Sequence, residues 1–425
     1  MSGERADVAV VGGGPAGLAA AEELAAAGAG RVVVLEREAQ AGGIPRHADH
    51  QGYGLRDLRR VLGGPAYARL RTERALAAGA EVATSTQVTG WADGAQGAGL
   101  GLELTSPAGR RVLHARAVVL ATGCRERPRP ARLIPGSRPQ GVMTTGMLQQ
   151  VVHLEGEVPG RRAVVVGAEH VSFSALLTLA DGGARAVAMV TELPHHQSFG
   201  AVRAAATLRY GVRLRTSTVL TAIRGRARVE AVELTHLTSG AVEEIACDLV
   251  VLTADWIPDH ELAVTGGVAL DPGTRGPAVD AAGRTSRPGV FAAGNLLHGA
   301  EPADVAALTG CHVAEGVLEH LAGAPWPTSH VDVRCAAPLT WIAPNVIVPG
   351  AAATAPPRGR HLLRAGERLL DARVVVTQDE RVLWRDRLPR ILPGRSARLP
   401  AAWAADVDPA GGPVIVRVAA ARRKG

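Results

Sequence analysis

Two stretches of this chain repeat one hydrophobic pattern: a short apolar run, a turn of small residues, an Ala/Leu-rich helical stretch and a second apolar run ending in an acid. The first has Val8 to Val11, a turn from Gly12 to Gly17, and Val32 to Leu35 closed by Glu36. The second has Ala163 to Val166, Gly167, a helical stretch from Val171 to Leu179, and a strand closed by Glu192, so that Gly167 echoes Gly12 at an offset of 155 residues. Continuous apolar runs of about four residues suit strands buried on both faces of a parallel sheet, and the intervening helical period completes a βαβ unit.

Between the units, alternating runs predict short strands at Glu81 to Thr84, Leu100 to Thr105, Arg111 to Leu113 and Ala117 to Leu120, the last entering Ala121-Thr122-Gly123. Further strands fall at Val212 to Arg215, Glu230 to Thr238 and Leu249 to Leu252. A late strand within Thr285 to Asn295 closes on Gly294-Asn295, and a helix runs from about Pro302 to Leu321. The proline-rich stretch Ala324 to Pro327 reads as a boundary, beyond which Ala372 to Gln378, Arg381 to Trp384 and Val414 to Val418 alternate as strands. The expected class is α/β, with two interleaved Rossmann-like dinucleotide-binding domains (three-layer ββα) and a small C-terminal β-rich module. Residues 1–155 and 251–323 would form the first dinucleotide-binding domain, 156–250 an inserted second one, and 324–425 the module.

The first turn is chemically specific. Gly12 permits the tight bend, Gly14 lets the main chain approach a pyrophosphate, and Gly17 lets the helix pack on the strand. Pro15 and Ala16 begin the helix, whose N-terminus favours phosphate. Glu36, nineteen residues past Gly17, is placed to accept from a ribose hydroxyl, with Arg37 beside it. At the second turn Glu169 stands where glycine would approach a pyrophosphate, and its charge would repel one. Gly167 and Glu192 therefore mark either a nicotinamide or adenine nucleotide site or a retained fold that binds nothing.

Hydrophobic residues make up 47% of the chain and aromatics 3%, which argues against recognition of nucleic acid by stacking. The charge of +7 is almost wholly arginine, Lys424 being the only lysine, and the interspersed acids argue against a continuous basic groove. The first strand begins within seven residues and no apolar run approaches the ~18 residues of a membrane span, so no secretory signal, no span and a cytoplasmic location are expected. Cys124, Cys247, Cys311 and Cys335 never form CxxC, and no metal site is expected.

GGGPAG with Glu36, the ATG turn at Ala121 to Gly123 and the strand ending in Gly294-Asn295 together resemble the pyridine nucleotide-disulphide oxidoreductase superfamily of flavoproteins. The resemblance implies FAD, held by the first βαβ unit, with Val88 beside it and the late strand at the pyrophosphate and ribityl chain. Asn295 replaces the usual Asp there. No cysteine pair fits the disulphide reductases themselves. Gly42 to Leu70, Ala121 to Pro139 and VVGAEHVSFSALLTL look more like the FAD subunits of hydrogen cyanide synthase, opine oxidases and dye-linked proline dehydrogenases. These imply oxidation of an amine or amino-acid C–H by hydride transfer to flavin N5. They also imply a second flavoprotein subunit, a small ferredoxin-like protein, or both as partners, and the lack of a Cys-rich stretch after Cys335 assigns any cluster to a partner.

The resemblance also implies that the main chain at Gly42-Gly43-Ile44 comes close to the isoalloxazine, an approach that glycine at residue 43 allows. His47 and His50 either serve that ring and a substrate proton or are solvated loop histidines. Arg125, Arg127 and Arg129, near Thr144 to Gly146, either hold a carboxylate or phosphates or form a solvated basic loop. His298, Glu301 and Asp304 precede or begin the last helix; Glu301 is a catalytic candidate, and Glu301 and Asp304 are equally candidate capping acids. Cys124 reads as packing. Trp341, Trp384 and Trp403 either anchor a partner or fill the module core. An NAD(P)H-dependent flavin reductase or oxidase, and a subunit that only relays electrons, are the other readings.

Overall fold

The structure is a computed structural model that describes residues 4–92, 99–198, 200–348 and 355–419. The strand Glu4–Val11 sits between Val32–Leu35 and Gly109–Leu120, parallel to both, in a seven-stranded sheet whose parallel edge is Glu81–Ala83. Leu100–Ser106 and Gln87–Ala92 continue it antiparallel, and Val290–Ala292 joins the C-terminal end of Gly109–Leu120. The two strands expected at Arg111 to Leu113 and Ala117 to Leu120 are thus one strand. Its first half is a hairpin arm and its second half a core strand, which is why its polarity changes midway.

The helices Pro15–Ala26 and Ala303–Leu321 cover one face of this sheet, and small residues set their approach. A Cβ on Gly310 would overlap the Ala16 carbonyl oxygen, and one on Gly294 would stand 2.6 Å from the Ala16 Cβ.

A second, five-stranded parallel sheet has the order Val142–Thr144, Leu249–Leu252, Arg162–Val166, Arg185–Val190, Leu214–Arg215. Its first strand, with the helix Thr145–His153, lies inside the segment expected to belong to the first unit. The pairing of Val142 with Val250 assigns it to the second sheet instead. Cys124–Glu126 and Trp256–Pro258 pair antiparallel where the chain passes between the two sheets.

The C-terminal module consists of a five-stranded sheet and a three-stranded sheet, the latter ordered Leu339–Ala343, Arg360–Ala365, Ala397–Pro400. Trp403 is buried in its core and Trp384 packs against that core, while Trp341 is buried against His298, ring centroids 4.6 Å apart. Trp341 and Trp403 are therefore not exposed anchors. The strand expected at Arg381 to Trp384 extends to Ile391. No described helix is long and apolar enough to cross a membrane.

Candidate functional site

One cavity of about 1220 Å³ runs from the first glycine turn to the C-terminal module. At its dinucleotide end, Gly12 has φ +106°, and a side chain there would overlap the carbonyl oxygen of Ala121. A Cβ on Gly17 would overlap the Gly12 carbonyl oxygen, so both positions require glycine for packing. Gly14 differs: a Cβ on it would meet nothing nearer than the Gly43 Cα, 4.0 Å away, and its free side faces the cavity. Glu36 is buried, its two oxygens accepting from Gly13 N and Glu38 N at 2.8 Å each. That fixes the carboxylate at the cavity wall with lone pairs left for hydroxyls. Pro15, Ala16, Arg37, Gly43, Val88, Ala121, Thr122, Gly123 and Asn295 line the same cavity. Gly294, at φ +73°, packs behind that wall on Ala16. The cradle a Cβ would fill at Gly14, the anchored acid and the helix N-terminus at Pro15 fit the ADP half of FAD.

Asn295 does more than expected. Its side chain accepts from Glu301 N at 3.0 Å and donates to Glu301 O at 3.1 Å, clamping the loop between them and leaving one amide N–H.

His47 and His50 both line the cavity. His47 is buried, with no hydrogen-bond partner for Nδ1, and desolvation holds its pKa down to about 4, so the ring is neutral. His50 contacts the Gln51 carbonyl and the Tyr53 hydroxyl and is only partly buried. Neither is a freely solvated loop residue.

Deeper, His298 is wholly buried and stacked on Trp341, and burial pushes its pKa down to about 3. Glu301 reaches across to the module, where Ser396 donates to it and Arg364 lies 3.6 Å away. Burial raises its pKa, opposed by those two groups. Asp304 accepts from the Arg56 main chain and pairs with its guanidinium at 2.9 Å, so it braces a loop; neither acid caps the helix, whose N-cap is Pro302. Arg125 pairs with Asp259 and Glu261, Arg127 with Asp255, and Arg129 donates to the carbonyls of Ile134 and Pro135. These arginines stitch the linker together through ion pairs and carbonyls, with Arg125 and Arg127 still partly exposed, Arg125 lining the cavity and Arg129 buried. Cys124 is packed and pushed up to about 12 by burial.

The second glycine turn is built differently. Gly167, at φ +135°, has no room for a side chain against Thr253 and Ser172. Neither it nor the exposed Glu192 lines the cavity. Glu169, by contrast, does line it: it caps the helix His170–Asp181, accepts from Trp256 Nε1 at 3.2 Å, and is pushed up to about 7 chiefly by burial. The main chain of Gly394 lies against it, since a Cβ there would be 3.5 Å from the Glu169 Cβ and 2.7 Å from that of Gln197. Sequence reasoning missed Glu126, Arg364, Ser396 and Arg398, whose places depend on packing between distant segments. One signal was available: residues 324–425 hold 16 Lys/Arg against 8 Asp/Glu, while residues 1–323 hold 31 against 32.

Among the described residues no group of His, Cys, Asp and Glu could hold a metal ion. The A subunit of the opine oxidase of Rhizobium meliloti is 29% identical over 330 residues, covering 70% of this chain and 60% of that protein. The alpha subunit of a Corynebacterium sarcosine oxidase is 30% identical over 281 residues, 61% of this chain and 26% of that one. The chain thus spans less than two thirds of the length of these relatives. Among solved structures, thioredoxin reductase of T. acidophilum shares the fold over 75% of this chain and all of its own, at TM-score 0.62 and 22% identity. L-proline dehydrogenase from P. horikoshii covers 76% of this chain and 57% of its own at TM-score 0.53 and 19% identity. The family model for pyridine nucleotide-disulphide oxidoreductases matches residues 6–310, and the chain belongs to that family of FAD-binding flavoprotein oxidoreductases.

Proposed function

We propose that this chain is the flavoprotein subunit of an amine or amino-acid dehydrogenase, taking its electrons from a substrate that enters the large cavity and passing them to a partner. The observation that carries this reading is the contrast between the two glycine turns on one cavity: the first presents the bare Gly14 to it, and the second presents the Glu169 side chain, with the turn at Gly394 beside it. With Glu169 where a pyrophosphate would approach, the reductant in this reading is a small substrate in the cavity and not a second dinucleotide. The opine and sarcosine oxidase relatives support an amine substrate.

FAD, when bound, supplies the hydride acceptor. Gly12, Gly14, Glu36, Gly43 and Asn295 would hold it. Neutral His47, with His50 its neighbour in the wall, is the proposed residue that orients the substrate amine by hydrogen bonding; burial keeps its ring uncharged through neutral pH but makes it a weak base, so the substrate reacts as the free amine. Glu301 is the proposed orienting acid, since its ties to Asn295 and Ser396 fix the loop between cofactor cradle and module.

The test is anaerobic mixing of the FAD-loaded protein with a panel of secondary and primary amino acids, watching flavin absorbance. Bleaching by an amino acid and not by NADH or NADPH supports the reading. Rapid stoichiometric bleaching by either nucleotide replaces it with a flavin reductase, and bleaching by none, with reduction only through a partner, makes the chain a relay.

A further inference from the structure

The wall that the C-terminal module contributes to the cavity is a ladder of arginines. In the strands Arg360–Ala365 and Ala397–Pro400, Leu362 lies opposite Arg398 and Leu363 opposite Ala397. Side chains alternate between faces, so Arg360, Leu362 and Arg364 share one face with Ser396 and Arg398. His361, Leu363 and Leu399 point the other way and are buried. Arg358, Arg360, Leu362, Ser396 and Arg398 line the cavity.

Only the innermost rung has a carboxylate, Arg364 beside Glu301 at 3.6 Å. No carboxylate of a described residue lies within 4 Å of the guanidinium of Arg358, Arg360 or Arg398. Arg360 and Arg398 are diagonal neighbours, opposite Pro400 and Leu362, and Arg358 lies in the turn that leads into the first strand, so three like charges share this part of the wall. Arg398 feels its neighbours: burial, then Arg358, Arg360 and Arg56, hold its guanidinium below its ordinary value, with Glu301 opposing. All three side chains are exposed, so their guanidinium forks stand at the solvent-facing part of the cavity wall, where they are suited to the oxygens of carboxylate or phosphate.

We propose that Arg358, Arg360 and Arg398 form a subsite for a second anionic group on the ligand, remote from the reacting amine, so that the cavity takes a dianionic compound in preference to a simple amino acid. The reacting amine rests on the amine-oxidation reading; the binding of the anion does not. Three cations held side by side on one wall repel one another, and an anion spanning the rungs would neutralise them.

The experiment titrates the FAD-loaded protein with butyrate, glutarate and 3-phosphonopropionate, following flavin absorbance and thermal midpoint. Glutarate or the phosphonate is expected to bind about tenfold or more tighter than butyrate, and the tighter of the two names the anionic group. In R360Q/R398Q that preference should vanish while the unliganded protein melts at the same or a higher temperature. R381Q, on the exposed edge strand of the module, should retain it, as should R360K/R398K in part. Equal affinity for all three ligands, or a preference that survives R360Q/R398Q, overturns the subsite. Protein that no amine reduces but that still shows the arginine-dependent preference overturns the oxidation reading and leaves the subsite standing.

Discussion

At residue 14 a side chain would project into open cavity, whereas at the matching place in the second unit, residue 169, a glutamate already projects there with the turn at Gly394 against it. The strand, turn and helix are the same in both units, down to the glycine whose N–H closes onto the neighbouring strand: Gly12 to Leu35 at 2.9 Å, and Gly167 to Val190 at 2.7 Å. What differs is the one residue that has to be absent for a pyrophosphate to approach. The first glycine of such a turn is a folding requirement and the second a binding requirement, and this chain keeps the first in both units and the second in only one.

The difference between the two turns has its largest consequence at Gly14. Gly14→Val should place its methyl groups in the cradle without disturbing packing, so the protein should fold and purify colourless, with FAD affinity down by at least about 100-fold. Absorbance at the flavin bands and circular dichroism check both halves. Full FAD content in this variant would remove the ADP-half assignment.

NADH and NADPH should bleach the bound flavin at least about 100-fold more slowly than the true reductant, because nucleotide phosphates would meet Glu169 and the Gly394 turn. Stopped-flow mixing measures this. Glu169→Gly alone should restore little, since the Gly394 main chain stays in place.

A smaller effect separates the two strand-end acids. Glu36→Gln places an amide N–H against either Gly13 N or Glu38 N, both donors to the carboxylate, so FAD affinity should fall about tenfold. Glu192, exposed and outside the cavity, should tolerate Gln with no change in FAD content. Equal losses in the two variants, read by equilibrium dialysis, would mean that both units hold a nucleotide.

The unequal legibility of these features has a physical basis. The glycine turn and Glu36 are readable because strand, turn and acid lie within thirty residues and each part limits the next. His47 is not readable as buried, because the cover over it comes from the helix Thr145–His153, whose last residue donates from its ring Nδ1 to the His47 carbonyl at 2.6 Å. The arginine ladder depends on the register between residues 360–363 and 397–400, and the whole-chain charge of +7 hides that the excess sits entirely after residue 323. Trp341 could be read as an anchor or as core; only its contact with His298, from another part of the chain, decides between them.

The smallest expected effect tests what Glu169 does in place of glycine. Burial raises its pKa from 4.5 to about 7, with Glu126 pushing the same way and Arg364, Trp256 and Arg132 opposing. The folded protein therefore holds this proton more tightly than the unfolded chain. Between about pH 4.5 and 7 it binds more protons than the unfolded chain, so this group lowers stability as pH rises through that window and imposes its full penalty above it. Glu169→Gln keeps the shape, keeps an oxygen for the Trp256 N–H and removes the ionisation. Wild type and variant should melt together near pH 4, while the variant should be more stable by ~1–3 kcal/mol at pH 8, a shift of a few degrees. Glu301 and the buried histidines are common to both proteins and cancel in the difference, whereas Glu126, which is coupled to Glu169, loses its repulsion in the variant and adds to the gain at high pH. A gap between the two melting curves that does not widen with pH would place Glu169 in the charged state already, held so by Arg364, and the second turn would then carry a permanent negative charge facing the cavity.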